Sequence, residues 1–376
     1  MISLTLEEID YLAKESYYND DLPNALRYYA EAFIRIPNLG LAYNNYGSIL
    51  REMGFPQEAK GFFETAMRID NDDRNAPFNY AVAHLAAGEL NKGWELFEAR
   101  WRFKYHEHTL EGWSKPRWNG EDITGKRLLI TCEEGDGDNI QFIRYAHTLK
   151  EMGVIPIIQT EINLVDLFAT SFPDYEVVTN KVVYEDFDYW SPLMSVPKCL
   201  KITFDNFPQI NNYIKLDKKL INKWKKIVGK SNKPRIGYSC KGNSKSYPME
   251  MFSKFMKNNP QYDYVNLQAS YTEEETLMVQ GANIFDYFEH IRVWNDTAGL
   301  LYHLDCVISV DTGLAHLAGA MGKKTILLLD RYKTCWRWLY DTPTTPWYPS
   351  MHLVRQKDVR SYEQQLNDVT NLLPHP

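Results

Sequence analysis

Residues 306–330, CVISVDTGLAHLAGAMGKKTILLLD, restrict the fold more than any other stretch of this chain. Cys306–Val310 is an apolar, β-branched run of the kind that forms a buried strand, and 314–321 is an Ala/Leu/Met run at helical spacing. Only Asp311, Thr312 and Gly313 separate the two. Gly322 and two lysines stop the helix, and Thr325–Leu329 reads as a second buried strand. Strand, tight turn, helix and strand in so few residues make a parallel α/β unit, with the turn at the carboxyl edge of the sheet. Open α/β sheets bind ligands at that edge. A helix N-terminus there offers N–H groups and partial positive charge to an anion such as phosphate. Asp311 and Thr312 read either as helix caps or as ligand contacts. His316, one turn into the helix, can lie near the same mouth, where the helix terminus favours neutral imidazole and its N–H can donate to a ligand oxygen. A purely structural histidine is the other reading.

A second unit of this kind begins at 126. Residues 126–132, KRLLITC, read as a strand, and 139–152 as one amphipathic helix with Ile140, Ile143, Ala146 and Leu149 on its buried face. The turn between them carries Glu133, Glu134, Asp136 and Asp138 and no cation. Such a turn repels a pyrophosphate, and Ile140 stands where a dinucleotide fingerprint needs its third glycine. An acidic turn is suited to carry a base instead. Neighbouring carboxylates raise one another's pKa, as a general base near neutrality requires; the alternative for Asp138 is a helix cap. Next come a strand (154–159), a helix (163–171), a strand (176–178) and a loop over 188–197 in which Tyr189 and Trp190 offer stacking or packing.

Residues 216–230 read as a lysine-rich connecting helix, and 235–240 as a strand opening a second sheet. Lys241, Gly242, Asn243, Ser244 and Lys245 follow it. If parallel strands bring this loop beside 311–313, Lys241 or Lys245 can neutralise a leaving diphosphate; otherwise they are ordinary surface lysines. Strands over 264–268 and 285–288 and a helix over 296–304 lead into the 306–330 unit, and Tyr362, Leu366, Val369 and Leu373 are spaced for a closing helix.

The first 107 residues obey a different rule, a gapless period of 34 over 6–39, 40–73 and 74–107. The middle copy is clearest, with Tyr43, Tyr46, Gly47, Leu50, Gly54, Ala59, Phe63 and Ala66. Leu12, Ala13, Ala25, Tyr29, Ala32 and Pro37 match in the first copy, and Tyr80, Ala81, Gly88, Gly93 and Phe97 in the third. Small residues at these places let two antiparallel helices approach while the large ones fill the gap. The pattern resembles tetratricopeptide repeats, whose arrays bind protein partners or serve as structural extensions. Residues 108–125 form a connector, and the nearby His106 and His108 are too few for a metal site.

The formal net charge is −7 and the pI near 5.8, which argues against sequence-independent nucleic-acid binding. Five scattered cysteines with no C-x-x-C pair suggest reduced thiols. No apolar run approaches the ~20 residues of a membrane span, and MISLTLEEID lacks a signal-peptide pattern, so a cytoplasmic location is expected.

DTGLAHLAGAMGK resembles the nucleotide-binding segment of the family 9, heptosyltransferase-like glycosyltransferases, and GDGDNIQFIRY resembles their first turn. The resemblance implies an α/β fold with a GT-B-like pair of Rossmann-like halves, 126–230 on the acceptor side and 231–376 on the nucleotide-sugar side, behind the all-α array. It implies a transferase that is inverting, metal-independent and without a cofactor, with a nucleoside-diphosphate sugar as donor and a glycan or protein as acceptor. Asp138 matches the aspartate regarded as the base. Ser239, Lys241, Lys245, Asp311, Thr312, Gly313 and His316 fall on the donor side, and Asp136, Gly137, Gln141 and Tyr189 on the acceptor side. In GT-B proteins the closing helix commonly crosses back to the first half. The rival reading is a non-catalytic scaffold that binds a protein through its repeats.

Overall fold

The computed structural model describes residues 4–103, 113–181, 184–242, 246–268 and 272–375. The chain divides into two compact units, one of residues 1–114, 200–207 and 330–342 and the other of 115–199, 208–329 and 343–376.

The first unit is built from three helical hairpins: α1 (Leu6–Tyr18) with α2 (Leu22–Arg35), α3 (Gly40–Glu52) with α4 (Pro56–Ile69), and α5 (Asn75–Ala86) with α6 (Leu90–Phe97). Thr5 and Glu8 form a reciprocal capping box at the start of α1. Glycine sets the approach within each later hairpin. A Cβ at Gly47 would lie 3.0 Å from the Phe63 ring, and one at Gly93 would lie 2.5 Å from Leu85 Cδ2. These are tetratricopeptide-like hairpins, and their helix–helix turns hold residues 330–342 of the same chain. Lys333 Nζ donates to Tyr17 O and Asp20 Oδ1, both at 2.7 Å, and its N–H donates to Glu52 O at 3.0 Å. Tyr340 OH donates to Arg51 O at 2.5 Å, and Trp336 meets Trp94 edge to face. The array is therefore at least a structural element, gripping its own chain by the α1–α2 and α3–α4 turns.

A half-exposed carboxylate beside a buried histidine makes the stability of the array depend on pH. Glu89 accepts from Lys60 Nζ at 2.7 Å and from Gln57 at 3.0 Å and contacts His84 Nδ1. The Lys60 hydrogen bond leads in holding the Glu89 carboxyl down at about 2, and burial lowers the His84 pKa. Both groups take up protons more readily when unfolded, so their stabilisation is complete above the unfolded values and falls as pH drops through ~6.5 for His84 and then ~4.5 for Glu89. Thermal melts of wild type should fall between pH 8 and pH 4, and Glu89→Gln should flatten the lower part of that dependence; an identical profile in the variant would contradict the assignment.

The second unit contains two all-parallel sheets. The first runs through β1 (Arg127–Thr131), α7 (Asp136–Phe142), α8 (Tyr145–Glu151), β2 (Ile155–Thr160), α9 (Ile162–Ser171), β3 (Glu176–Thr179), β4 (Tyr189–Pro192) and α10 (Val196–Cys199). The second runs through α11 (Lys218–Val228), β5 (Arg235–Ser239), α12 (Met249–Asn258), β6 (Asp263–Asn266), α13 (Glu273–Met278), β7 (Ile284–Asp286), α14 (Trp294–Tyr302), β8 (Cys306–Val310), α15 (Gly313–Ala320), β9 (Thr325–Leu329), β10 (Met351–Arg355) and α16 (Tyr362–Thr370). Strand order is β3-β2-β1-β4 in one sheet and β7-β6-β5-β8-β9-β10 in the other. Both reverse direction beside their first strand. That reversal creates a crevice at the carboxyl ends of β1 and β4 in one half and of β5 and β8 in the other.

Three expectations need correcting. The helix expected over 139–152 is two helices, α7 and α8, because the chain turns at Ile143 and Arg144 to bury the arginine side chain. The loop expected over 188–197 contains β4, paired in register with β1 from Leu128↔Tyr189 to Thr131↔Pro192. The closing helix α16 stays on the second half: Leu366, Val369 and Leu373 join the core formed by Tyr262, Phe252 and Phe255.

Candidate functional site

The strongest local constraint is the turn after β8. Cys306–Val310 and Thr325–Leu329 are buried at every position, so Asp311, Thr312 and Gly313, which follow β8, emerge at the carboxyl edge of the sheet. Ser309 Oγ lies 3.2 Å from Thr312 Oγ1, and Thr312 makes no side-chain cap to α15. The N-terminal end of α15 thus meets the edge without a capping hydroxyl from its own N-cap residue, which favours an anion there. Ser239 pairs in register with Ser309, so the end of β5 adjoins this turn at the switch point. Lys241 follows, with Nζ 2.5 Å from Glu275 Oε2 on α13.

The turn after β1 meets it directly. A Cβ at Gly137 would lie 3.0 Å from Gly313 Cα and 3.1 Å from His316 Cδ2. The two glycines are in contact, so the two crevices open side by side around a shared point and no ligand atom fits between those backbones. The flanking side chains fix this apposition. Asp136 Oδ2 accepts from Asn163 Nδ2 of α9 and from Trp294 Nε1 of α14, each at 2.7 Å. The Trp294 ring lies 3.1 Å from where a Gly313 Cβ would be. Asp136 is therefore a bridge between halves. Asp138 Oδ2 accepts from the Gly135 N–H at 3.3 Å, and its carboxylate is half-buried one residue beyond the glycine contact. Glu133 Oε1 accepts from the Met194 N–H at 2.9 Å, tying the β1 turn to the segment after β4.

Behind the turns lies Arg144, 1% exposed. It donates to Gln141 O at 2.9 Å, Trp347 O at 2.8 Å and Tyr213 OH at 3.1 Å, and it stacks on Tyr213, Trp347 and Tyr348. His316 Nδ1 lies 2.8 Å from the Tyr348 hydroxyl. One buried guanidinium thereby joins the first half to the tail that supports His316.

Residues 203–333, which include the β5 and β8 turns, match the family model described as glycosyltransferase family 9 (heptosyltransferase). That match places residues 203–333 with the family 9 glycosyltransferases. The family 9 glycosyl transferase of Veillonella parvula DSM 2008 shares the GT-B-like fold, with a TM-score of 0.51, 11% identity, and coverage of 68% of this chain and 99% of that one. The E. coli ADP-heptose lps heptosyltransferase II aligns over 65% of this chain and 98% of its own, at 12% identity and a TM-score of 0.46. Protein FlbA of Caulobacter vibrioides is 26% identical over 94% of this chain. The chain spans 64% of the length of that relative.

Within the family 9 domain and the half before it, the structure brings together Asp136, Gly137, Asp138, Ser239, Thr312, Gly313 and His316, with Asp311 at the end of β8. Lys241 is beside them but ion-paired. Two expected acceptor contacts are not brought there. Gln141 is fully buried within α7, and Tyr189 sits at the amino end of β4, about 10 Å of strand from the carboxyl edge. Lys245, like His106 and His108, lies outside the described residues. Sequence reasoning assigned no role to Asn163, Trp294, Tyr213 or Tyr348, whose contacts join positions far apart in the chain. Arg144 alone had a signal, as part of the GDGDNIQFIRY segment. Among the described residues no helix is long and apolar enough to cross a membrane.

Proposed function

We propose that this chain transfers a glycosyl group from a nucleoside-diphosphate sugar to an acceptor hydroxyl, with inversion and without a metal. The observation that carries the reading is the contact of the acidic β1 turn with the β8 turn, Gly137 on Gly313, inside a chain whose second half matches family 9. The donor diphosphate lies at the N-terminal end of α15, against Thr312 and Gly313, with Ser239 at its side and His316 donating to an oxygen. Lys241 exchanges Glu275 for a phosphate as the donor enters.

Asp138 receives the proton of the acceptor hydroxyl. That oxygen forms its bond to the anomeric carbon as the bond from this carbon to the phosphate oxygen breaks, and the electron pair leaves with the diphosphate. A single displacement with base and leaving group on opposite faces inverts the anomeric configuration. The helix terminus and cations meet the charge that develops on the diphosphate. With donor and acceptor identified by screening, NMR of the product should show inverted configuration, and transfer should persist in EDTA. A retained configuration, or activity lost in EDTA and restored by a divalent cation, would overturn these two points.

A further inference from the structure

What His316 offers a ligand depends on which ring nitrogen carries the proton, since neutral imidazole has one donor and one acceptor nitrogen. Its Nδ1 is 2.8 Å from the Tyr348 hydroxyl, at a position where His316 is 6% exposed. The Tyr348 ring is held closely. A Cβ at Gly319, one turn along α15, would come within 2.5 Å of Tyr348 Cγ, so the ring rests on helix backbone that only glycine leaves open. The Arg144 guanidinium lies 5.0 Å from the centre of the same ring. A cation beside a phenol favours its O–H as donor over its oxygen as acceptor. The other edge of the imidazole faces the glycine contact: Cδ2, the carbon bonded to Nε2, is 3.1 Å from where a Gly137 Cβ would sit.

We propose that Tyr348 is a positioning residue that donates its O–H to His316 Nδ1, holding the imidazole as the Nε2–H tautomer and presenting a hydrogen-bond donor to a phosphate oxygen of a nucleoside diphosphate. The opposite tautomer turns a lone pair toward the anion and repels it. The ligand half of this inference rests on the glycosyl-transfer reading; the tautomer half does not. Arg144 acts one step further back, packed on the Tyr348 ring. Gly319 fixes the height of that ring above α15.

Heteronuclear NMR of the imidazole nitrogens, with His316 assigned by its loss in His316→Gln, reads the tautomer in the intact wild-type chain. Nε2 should carry the proton. In Tyr348→Phe, which keeps the ring on Gly319 and should melt near wild type, the preference should disappear. Calorimetry with ADP, GDP and UDP should show affinity for the best-bound diphosphate weakened about tenfold in that variant, the lower end of what one charge-assisted hydrogen bond contributes. A wild-type His316 protonated on Nδ1, a Tyr348→Phe spectrum identical to wild type, or unchanged diphosphate affinity in Tyr348→Phe would overturn the proposal. If wild type binds none of the three nucleotides, the ligand half falls together with the sugar-nucleotide reading, and the spectra still decide the tautomer.

Discussion

Asp138→Ala is expected to lower glycosyl transfer about 10²–10⁴-fold while leaving donor affinity within about twofold of wild type, the pattern of a lost general base. The expectation follows from position. Asp138 is one residue past the glycine contact and half-buried, and its carboxylate accepts a 3.3 Å bond from the Gly135 N–H. Asp138→Asn keeps an acceptor for that N–H and should lose transfer to the same degree, which separates the proton-accepting role from capping. Asp136→Asn should behave differently. Asp136 Oδ2 accepts from Asn163 and Trp294, so losing its charge weakens a clasp between halves and should raise donor KM before it lowers kcat. Rates with purified donor and acceptor decide the matter. Transfer surviving in Asp138→Ala, with Asp136→Asn inactive, would exchange the two roles.

The second large effect is on stability. Arg144→Met should destabilise the second unit by about 3–5 kcal/mol, because the buried acceptors Gln141 O, Trp347 O and Tyr213 OH each lose a donor at a cost of roughly 1–3 kcal/mol before relaxation. Those acceptors come from α7, the tail and the segment before α11, so their loss loosens three parts of the unit together. Arg144→Lys should recover only part of the loss, since an ammonium lacks the planar fork that meets separated acceptors. Urea denaturation followed by tryptophan fluorescence measures both variants. An Arg144→Met midpoint equal to wild type would mean the aromatic packing holds this region without the guanidinium.

How much of this was legible depended on how local each feature is. The β8–α15–β9 unit was readable to the residue for both strands, because a fully buried parallel strand is continuously apolar and its turn has nowhere else to go. The 34-residue period was equally plain, since every repeat restates the same packing of small on large residues. The break between α7 and α8 was hidden: Ile140, Ile143, Ala146 and Leu149 keep helical spacing across it, and only the burial of Arg144 requires the turn. Strand β4 is four residues long and ends in Pro192, which by composition reads as loop; its pairing with β1 makes it a strand. Strand β10 went unread for a similar reason, as its pairing with β9 lies beyond a long irregular segment.

The candidate site divides along the same line. Asp138, Thr312, Gly313 and His316 sit in short motifs whose chemistry is visible in order along the chain. Asp136 was read as a weak acceptor-side contact because its partner, Trp294, is 158 residues away. Tyr348 carries no motif of its own, and its bond to His316 appears when α15 and the tail pack together.

The central claim is that the β8 turn holds a nucleoside diphosphate at the start of α15. Calorimetric titration of wild type and Gly313→Val with ADP, GDP, UDP and CDP tests it most directly, because a Cβ at Gly313 would stand 3.1 Å from Trp294 and 3.5 Å from the Gly137 nitrogen, so the larger valine must push the β8 turn off the β1 turn and distort the start of α15. The account predicts saturable binding of at least one nucleotide by wild type and none by a folded Gly313→Val. Equal binding by both proteins, or no binding by wild type, would contradict it.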